Sequence, residues 1–303
     1  MPSSPPRNRG VSTRNRPLWM LIPGGTLMTL VIVVPLILAV WIALIDLDQY
    51  TLRRWIEAPF IGVANFTEAF RSGLLRSVWL SVSFALISTL ATVPLGITAA
   101  LVTQNPYRGR SVVRAIFLIP YVLPSFVVAA VWRTMLQPDG IVNTLLGKLG
   151  AGSDALWLNG PRSYWTLVLV EIWAAWPLIY LMALSGLQSI EIEVHEASAL
   201  DGASWWPKLR HVVLPYLRGP VALACLLGTL AHINNFTLPY VLFGSPAPDD
   251  VNVMPMLVYA TSFNSSRFGL SAAMAVVSLV IVAIPLFAYL RAVRLDVHDE
   301  VKA

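Results

Sequence analysis

Six charge-poor stretches divide this chain, at about 18–45, 78–102, 115–132, 164–190, 219–242 and 268–290. Each approaches or exceeds the roughly 20 apolar residues that a helix needs to cross the hydrocarbon of a bilayer. One charged residue, Glu171 in the fourth, lies within them. Backbone in lipid must satisfy its own polar groups, which a helix does within a single segment. The pattern predicts an all-α, polytopic membrane protein with six transmembrane helices. Composition agrees, since 12% of the 303 residues are charged against about a quarter in soluble domains. The first stretch follows Arg7, Arg9, Arg14 and Arg16, as the core of a cleaved signal peptide would. It is far longer than the roughly 7–15 residues of such a core, and no clean small-x-small site closes it. It reads as a membrane helix behind a disordered basic tail, residues 1–17. The single cysteine, Cys225, leaves no disulfide framework or cysteine metal site and reads as a small apolar filler.

Charge sets the orientation. Most of the 21 lysines and arginines fall in the N-terminal tail, in 103–114, in 191–218 and after residue 290. Basic loops stay in the cytoplasm, which places both termini and the 191–218 loop inside. Arg53, Arg54, Arg71 and Arg76 blur the bias in the first outer loop, offset there by Asp46, Asp48, Glu57 and Glu68. The net charge of +5 reflects this asymmetry, not nucleic-acid binding.

The 191–218 loop is too patterned to be a mere connector. From Glu193 to Leu200 it contains no helix breaker, and Ala197, Leu200 and Ala203 recur at helical spacing. Gly202 allows a sharp change of direction. Ser204 suits the cap of a second helix, with Pro207 tolerated in its first turn and Leu214-Pro215 ending it. The outcome is a bent knob of two short helices presenting small residues, a shape suited to docking into another protein.

Glu196-Ala197-Ser198, Asp201-Gly202-Ala203 and Leu214-Pro215 together resemble the EAA motif of ABC importer permeases. Ser198 replaces the motif's second alanine, a small-for-small change. The stretches FIGVANFTEAF (60–70), RGRSVVRAIFLIPYVLP (108–124), WRTMLQPDGIVN (132–143) and LSGLQSIEIEVHEAS (184–198) extend the resemblance to the carbohydrate-uptake subgroup, with maltose-like or glycerol-phosphate-like substrates. The resemblance implies a type I importer transmembrane domain over residues 18–291, a short cytoplasmic tail at 292–303, and a coupling helix between the fourth and fifth spans. It implies docking of an ATPase subunit on the loop, with Glu196 as the contact and Gly202 as the bend. It further implies two ATPase subunits holding ATP and Mg, a second non-identical permease, an extracytoplasmic solute-binding protein, and residence in a bacterial plasma membrane. No cofactor is expected in this chain.

Other chemistry is poorly supported. His195-Glu196 lacks the second histidine of a zinc-protease helix, because position 199 is alanine; Gly147-Lys148 lacks the glycine and hydroxyl of a phosphate loop. The polar residues of the spans are therefore read as a transport path. His232, Asn235 and Phe236 share a helical face, with Asn234 nearly opposite and Tyr240 further on. Such groups either line a water-filled path or tie helices together, and Pro239 is expected to free backbone groups beside them. Glu171 is expected to face the path or pair with Arg133. Trp173, Trp176 and Tyr180 are candidate platforms for sugar stacking, or an interfacial aromatic belt. No span interior carries a Lys or Arg, which favours a neutral sugar over glycerol phosphate or a glycerophosphodiester. An ion-coupled secondary transporter is the competing class; it would carry chained ionisable groups and inverted repeats, and only Glu171 and His232 qualify.

Overall fold

The computed structural model describes residues 16–150, 155–200, 202 and 204–300. Asp201, Ala203 and nearly all of the basic tail lie outside the described residues. The architecture is all-helical, with one isolated bridge between Ile45 and Phe60. Five helices can each span a bilayer: α1 (Ile22–Ala43), α2 (Leu74–Gln104), α5 (Arg162–Gln188), α7 (Trp205–Ile233) and α9 (Phe268–Arg291). A bent pair, α3 (Arg110–Val122) and α4 (Ser125–Met135), supplies a sixth. Two further helices matter below: α6 (Ile192–Leu200) and α8 (Thr237–Phe243). The last helix continues to Glu300, beyond the apolar stretch that ends near residue 290.

The third span is not one straight helix. α3 and α4 meet at 93°, because Leu123 precedes Pro124 and adopts an extended ψ of 135°. A residue before proline is pushed out of the helical region, and the proline lacks an N–H to continue the ladder. α4 then packs beside α8.

The centre of the bundle is the contact of α2 with α5. A stripe of small side chains runs down α2 at helical spacing: Ser81, Ala85, Ser88, Thr92, Gly96, Ala99 and Thr103, all buried. Without water to squeeze out, helices in lipid associate through such close backbone approach and through polar contacts. Thr103 donates to the Tyr180 hydroxyl at 3.1 Å, and Thr89 and Thr229 share a hydrogen bond of 3.0 Å between α2 and α7. Gly186 admits α7 against α5; a Cβ there would lie 2.9 Å from Leu217 Cδ2.

At the opposite end from the α6 loop, Asn65 joins the first span to the rest. Its amide donates to the carbonyls of Ala43 (3.0 Å) and Ile45 (2.9 Å), at the end of α1, where helix carbonyls lose their intrahelical partners. Nearby, Glu68 pairs with Arg267. The Arg267 hydrogen bond holds the Glu68 carboxyl below its ordinary range, against a smaller opposing effect of burial. A carboxyl lowered on folding contributes stability that is present above its unfolded value of about 4.3 and lost as pH falls through the folded value. The Tm difference between wild type and Glu68→Gln is thus expected to be constant between about pH 7 and 5 and to shrink below about pH 4. A difference unchanged at the acid end would remove the charge from this account.

Candidate substrate pocket and docking loop

Two breaks in the membrane helices converge on one cavity. The first is the bend at Leu123-Pro124. The second is the end of α7, where Asn234 (φ −92°, ψ 5°) leaves the helical ladder and its amide turns back to the Leu230 carbonyl at 2.8 Å. Between them, against α5, lies a pocket of about 270 Å³. Irregular backbone at membrane depth is tolerated where it lines a cavity or is buried in protein, and broken helices frame solute sites in many transporters.

The pocket's polar wall is built on Glu171 of α5, which is 6% exposed. Both carboxylate oxygens are engaged. His232 Nδ1–H donates to Oε1 at 2.6 Å, and Asn235 Nδ2 donates to Oε2 at 2.7 Å. Asn235 Oδ1 in turn accepts the Leu238 N–H at 3.2 Å, at the start of α8. A buried carboxylate is tolerated only with such partners. With Nδ1 committed to the carboxylate, Nε2 is the ring nitrogen free to meet a ligand hydroxyl, beside Gly228. Phe84 packs edge-on against the imidazole, with centroids 6.2 Å apart. Thr89 and Thr92 of α2 and Ser125 of α4 add hydroxyls, and no lysine or arginine among the described residues lines the cavity.

The loop between α5 and α7 forms a separate projecting surface. α6 carries Glu193 in its first turn, with Glu196 and Ala197 exposed and Ser198 buried. Gly202 has φ +69° with open space about it, a left-handed turn that glycine adopts without strain. Beyond it Trp205 (68% exposed) and Trp206 (61%) stand out with Leu200 (89%). Leu200 ends α6 and the two tryptophans open α7, so the exposed apolar side chains flank the Gly202 turn.

Residues 92–294 match the family described as binding-protein-dependent transport system inner membrane component. This chain belongs to that family. The permease is 30% identical to the trehalose/maltose transport system permease protein MalF of Thermococcus litoralis, covering 91% of this chain and 92% of that one. It is 27% identical to the sulfoquinovosyl glycerol transport system permease protein SmoG of Agrobacterium fabrum, over 91% of this chain and 89% of that one. Its fold matches a chain of a bacterial ABC transporter involved in import of the acidic polysaccharide alginate, with a TM-score of 0.75 and 22% identity over 92% and 96% of the two chains. The permease is therefore a multi-pass membrane transport subunit with the type I importer fold.

Several expected residues occupy other places in the permease. Glu171 is not paired with Arg133: the bend in the third span carries Arg133 to α8, where Nη1 donates to the Val241 carbonyl at 2.9 Å. Phe236 does not join His232 and Asn235 at the cavity, because the helix stops before it. It stacks on Tyr240 at 4.9 Å and continues through Tyr259 (5.0 Å) to Phe263, a partly exposed row of rings beside the pocket. Trp176 lies in a different cleft, against Phe117 at 5.2 Å. Tyr180 is 1% exposed and too deeply packed to be a platform, while Trp173 packs on Trp132. Pro239 sits in the first turn of α8, where its missing N–H costs nothing, so it does not cause the break.

In the loop, Leu214-Pro215 ends no helix: α7 runs unbroken from Trp205 to Ile233. A wider π turn at Leu209–Val213 directly precedes Pro215 and gives its ring room where a regular turn would clash. Ser204 takes the cap position in extended conformation, but its hydroxyl makes no capping bond. The knob is less uniformly small than expected, owing to the two tryptophans. Thr89, Thr92 and Ser125 were not singled out by sequence; the hydroxyl spacing along 81–103 is the signal that points to the first two.

Proposed function

We propose that this permease forms half of the membrane path of an ATP-driven importer for a neutral sugar or oligosaccharide. The observation that carries the reading is the cavity at the two helix breaks, with its carboxylate, imidazole, amide and hydroxyls and no lysine or arginine among the described residues. Hydroxyl-rich solutes need hydrogen-bond partners of both kinds, whereas a phosphorylated one would call for arginine or lysine. The trehalose/maltose permease among the relatives supports the same class. The ring row Phe236–Tyr240–Tyr259 offers apolar faces next to the cavity, suited to the C–H face of a sugar.

In this reading both termini and the α6 loop face the cytoplasm of a prokaryotic cell. Two ATPase subunits carrying ATP and Mg dock on the loop through Glu196, Ala197, Ser198 and the Gly202 turn, with Leu200, Trp205 and Trp206 filling the contact. Asp201 and Ala203 belong to the same docking segment, and Leu214 and Pro215 to the helix that transmits it. A second permease closes the path, and a solute-binding protein delivers substrate to the opposite face. ATP binding favours one of two global states, and solute follows that population shift.

Glu196→Lys tests the docking. Uptake by cells is expected to fall at least tenfold while the protein remains in the membrane, because the change places a cation where a basic partner is expected. Co-purification of the ATPase with the permease in mild detergent is expected to weaken in parallel. Unchanged uptake would remove Glu196 from the contact, and recovery of the wild-type permease without an ATPase would sink the reading. The ligand of a co-purifying binding protein would identify the substrate.

A further inference from the structure

A second groove, unrelated to the polar cavity, opens along the outer face of α7 nearest the α6 loop, with a volume of about 810 Å³. Its mouth is cationic. Arg210 and Arg218 line it beside the His211 ring, and among the described residues no aspartate or glutamate does. Arg210 and Arg218 are exposed and enter no ion pair among the described residues. Its inner wall is apolar, formed by Leu214, Leu217 and Val221 of α7 with Ile97 of α2, and it ends at Cys225.

We infer that this groove holds an anionic phospholipid, with the phosphate held by Arg210 and Arg218 and an acyl chain lying along Leu214–Val221. Charge complementarity is the first argument: basic groups at the membrane edge attract anionic headgroups, and basic pockets between membrane helices recognise them. Length is the second. From Arg210 to Cys225 the helix rises about 22 Å at 1.5 Å per residue, and half of a bilayer of roughly 40–45 Å, headgroups included, is about the same. The groove thus offers cations where a headgroup lies and hydrocarbon where the chain ends. Arg218, two turns further in, is exposed, and an arginine at that depth can lay its stem along the apolar wall and carry its guanidinium toward the headgroup. A bound lipid here would brace α7 just where the docking loop joins it.

Cys225, the chain's one cysteine, marks the deep end and serves as the probe. The assembled transporter, labelled there with bimane, is placed in nanodiscs of neutral phosphatidylcholine containing either brominated phosphatidylglycerol or brominated phosphatidylcholine. Half-maximal quenching is expected at a several-fold lower mole fraction of the anionic lipid. Arg210→Gln with Arg218→Gln should bring the ratio to about one, and the double lysine variant should keep most of the preference. Equal quenching by both lipids in the wild type overturns the proposal, and that arm stands whether or not the variants assemble. So does failure of Cys225 to label in the assembled complex when the isolated permease labels, which would make the groove a subunit interface. Loss of the preference on adding millimolar inorganic phosphate would replace the lipid by a simple anion site.

Discussion

Glu171→Ala is expected to reduce uptake by at least tenfold, with a loss of stability alongside. Removing the carboxylate leaves His232 Nδ1–H and the Asn235 amide, donors at 2.6 and 2.7 Å from it, without their protein acceptor. A buried unpaired donor costs about 1–3 kcal/mol. The damage reaches α8 as well, because Asn235 also receives the Leu238 N–H; a displaced amide loosens the restart of the chain after α7. Glu171→Gln should lie between, since its oxygen can accept from one donor while its NH₂ opposes the other.

The informative variant is the pair Glu171→Met with His232→Leu. Replacing Glu171 and His232 by apolar side chains of similar size removes the unpaired-donor cost at the imidazole and leaves that of the Asn235 amide, so the detergent Tm is expected to recover part of what Glu171→Ala loses. Uptake is expected to stay low, because the cavity then lacks its carboxylate and imidazole. Recovery of uptake together with Tm would mean that the cluster only ties α5 to α7. Measuring both quantities separates a transport role from a structural one, as uptake alone would not.

The sequence makes the spans readable because lipid demands long apolar helices, and composition reports those directly. It makes the bent loop between the fourth and fifth spans readable because a glycine-bent pair of helices leaves spacing that stands out between two apolar stretches. Glu171, His232 and Asn235 were each identified as polar groups in lipid, but their convergence was not. It depends on the chain leaving the helix at Asn234, which invalidates a helical wheel beyond Ile233 and sends Phe236 elsewhere. The Arg133 pairing failed for a related reason: Pro124 bends the span, so depth along the sequence no longer measures depth in the membrane. The hydroxyls of α2 were hidden by an average, since Thr89 and Thr92 sit in a stretch whose mean character is apolar. The exposed tryptophans beside Gly202 show the converse, because the exposure of a side chain is set by the tertiary fold and leaves no periodicity to read.

Gly96→Leu is expected to be the most damaging single change in the bundle. A Cβ at position 96 would lie 2.6 Å from Ile179 Cβ and 2.7 Å from the Tyr180 backbone nitrogen. A backbone nitrogen cannot turn aside as a side-chain tip can, so α2 and α5 must separate. Overpacking of a filled core typically costs about 1–3 kcal/mol, occasionally more, and helices in lipid have little besides close packing to hold them together. Gly96→Ala should therefore lower the Tm by several degrees, and Gly96→Leu should abolish recovery of folded permease by size-exclusion chromatography. Gly24→Leu, on the exposed face of the first span with nothing within 4 Å of the added Cβ, is the control expected to change neither. Separation of the helices has a functional arm too. One turn before Gly96 stands Thr92, and two turns before it Thr89, both at the cavity and the latter 3.0 Å from Thr229 of α7. In the alanine variant, which still folds, uptake is expected to fall more than the amount of membrane protein does, because α2 carries its hydroxyls away from the solute as it moves. Uptake that tracks protein level in that variant would confine Gly96 to packing and detach the small-residue stripe from the transport path.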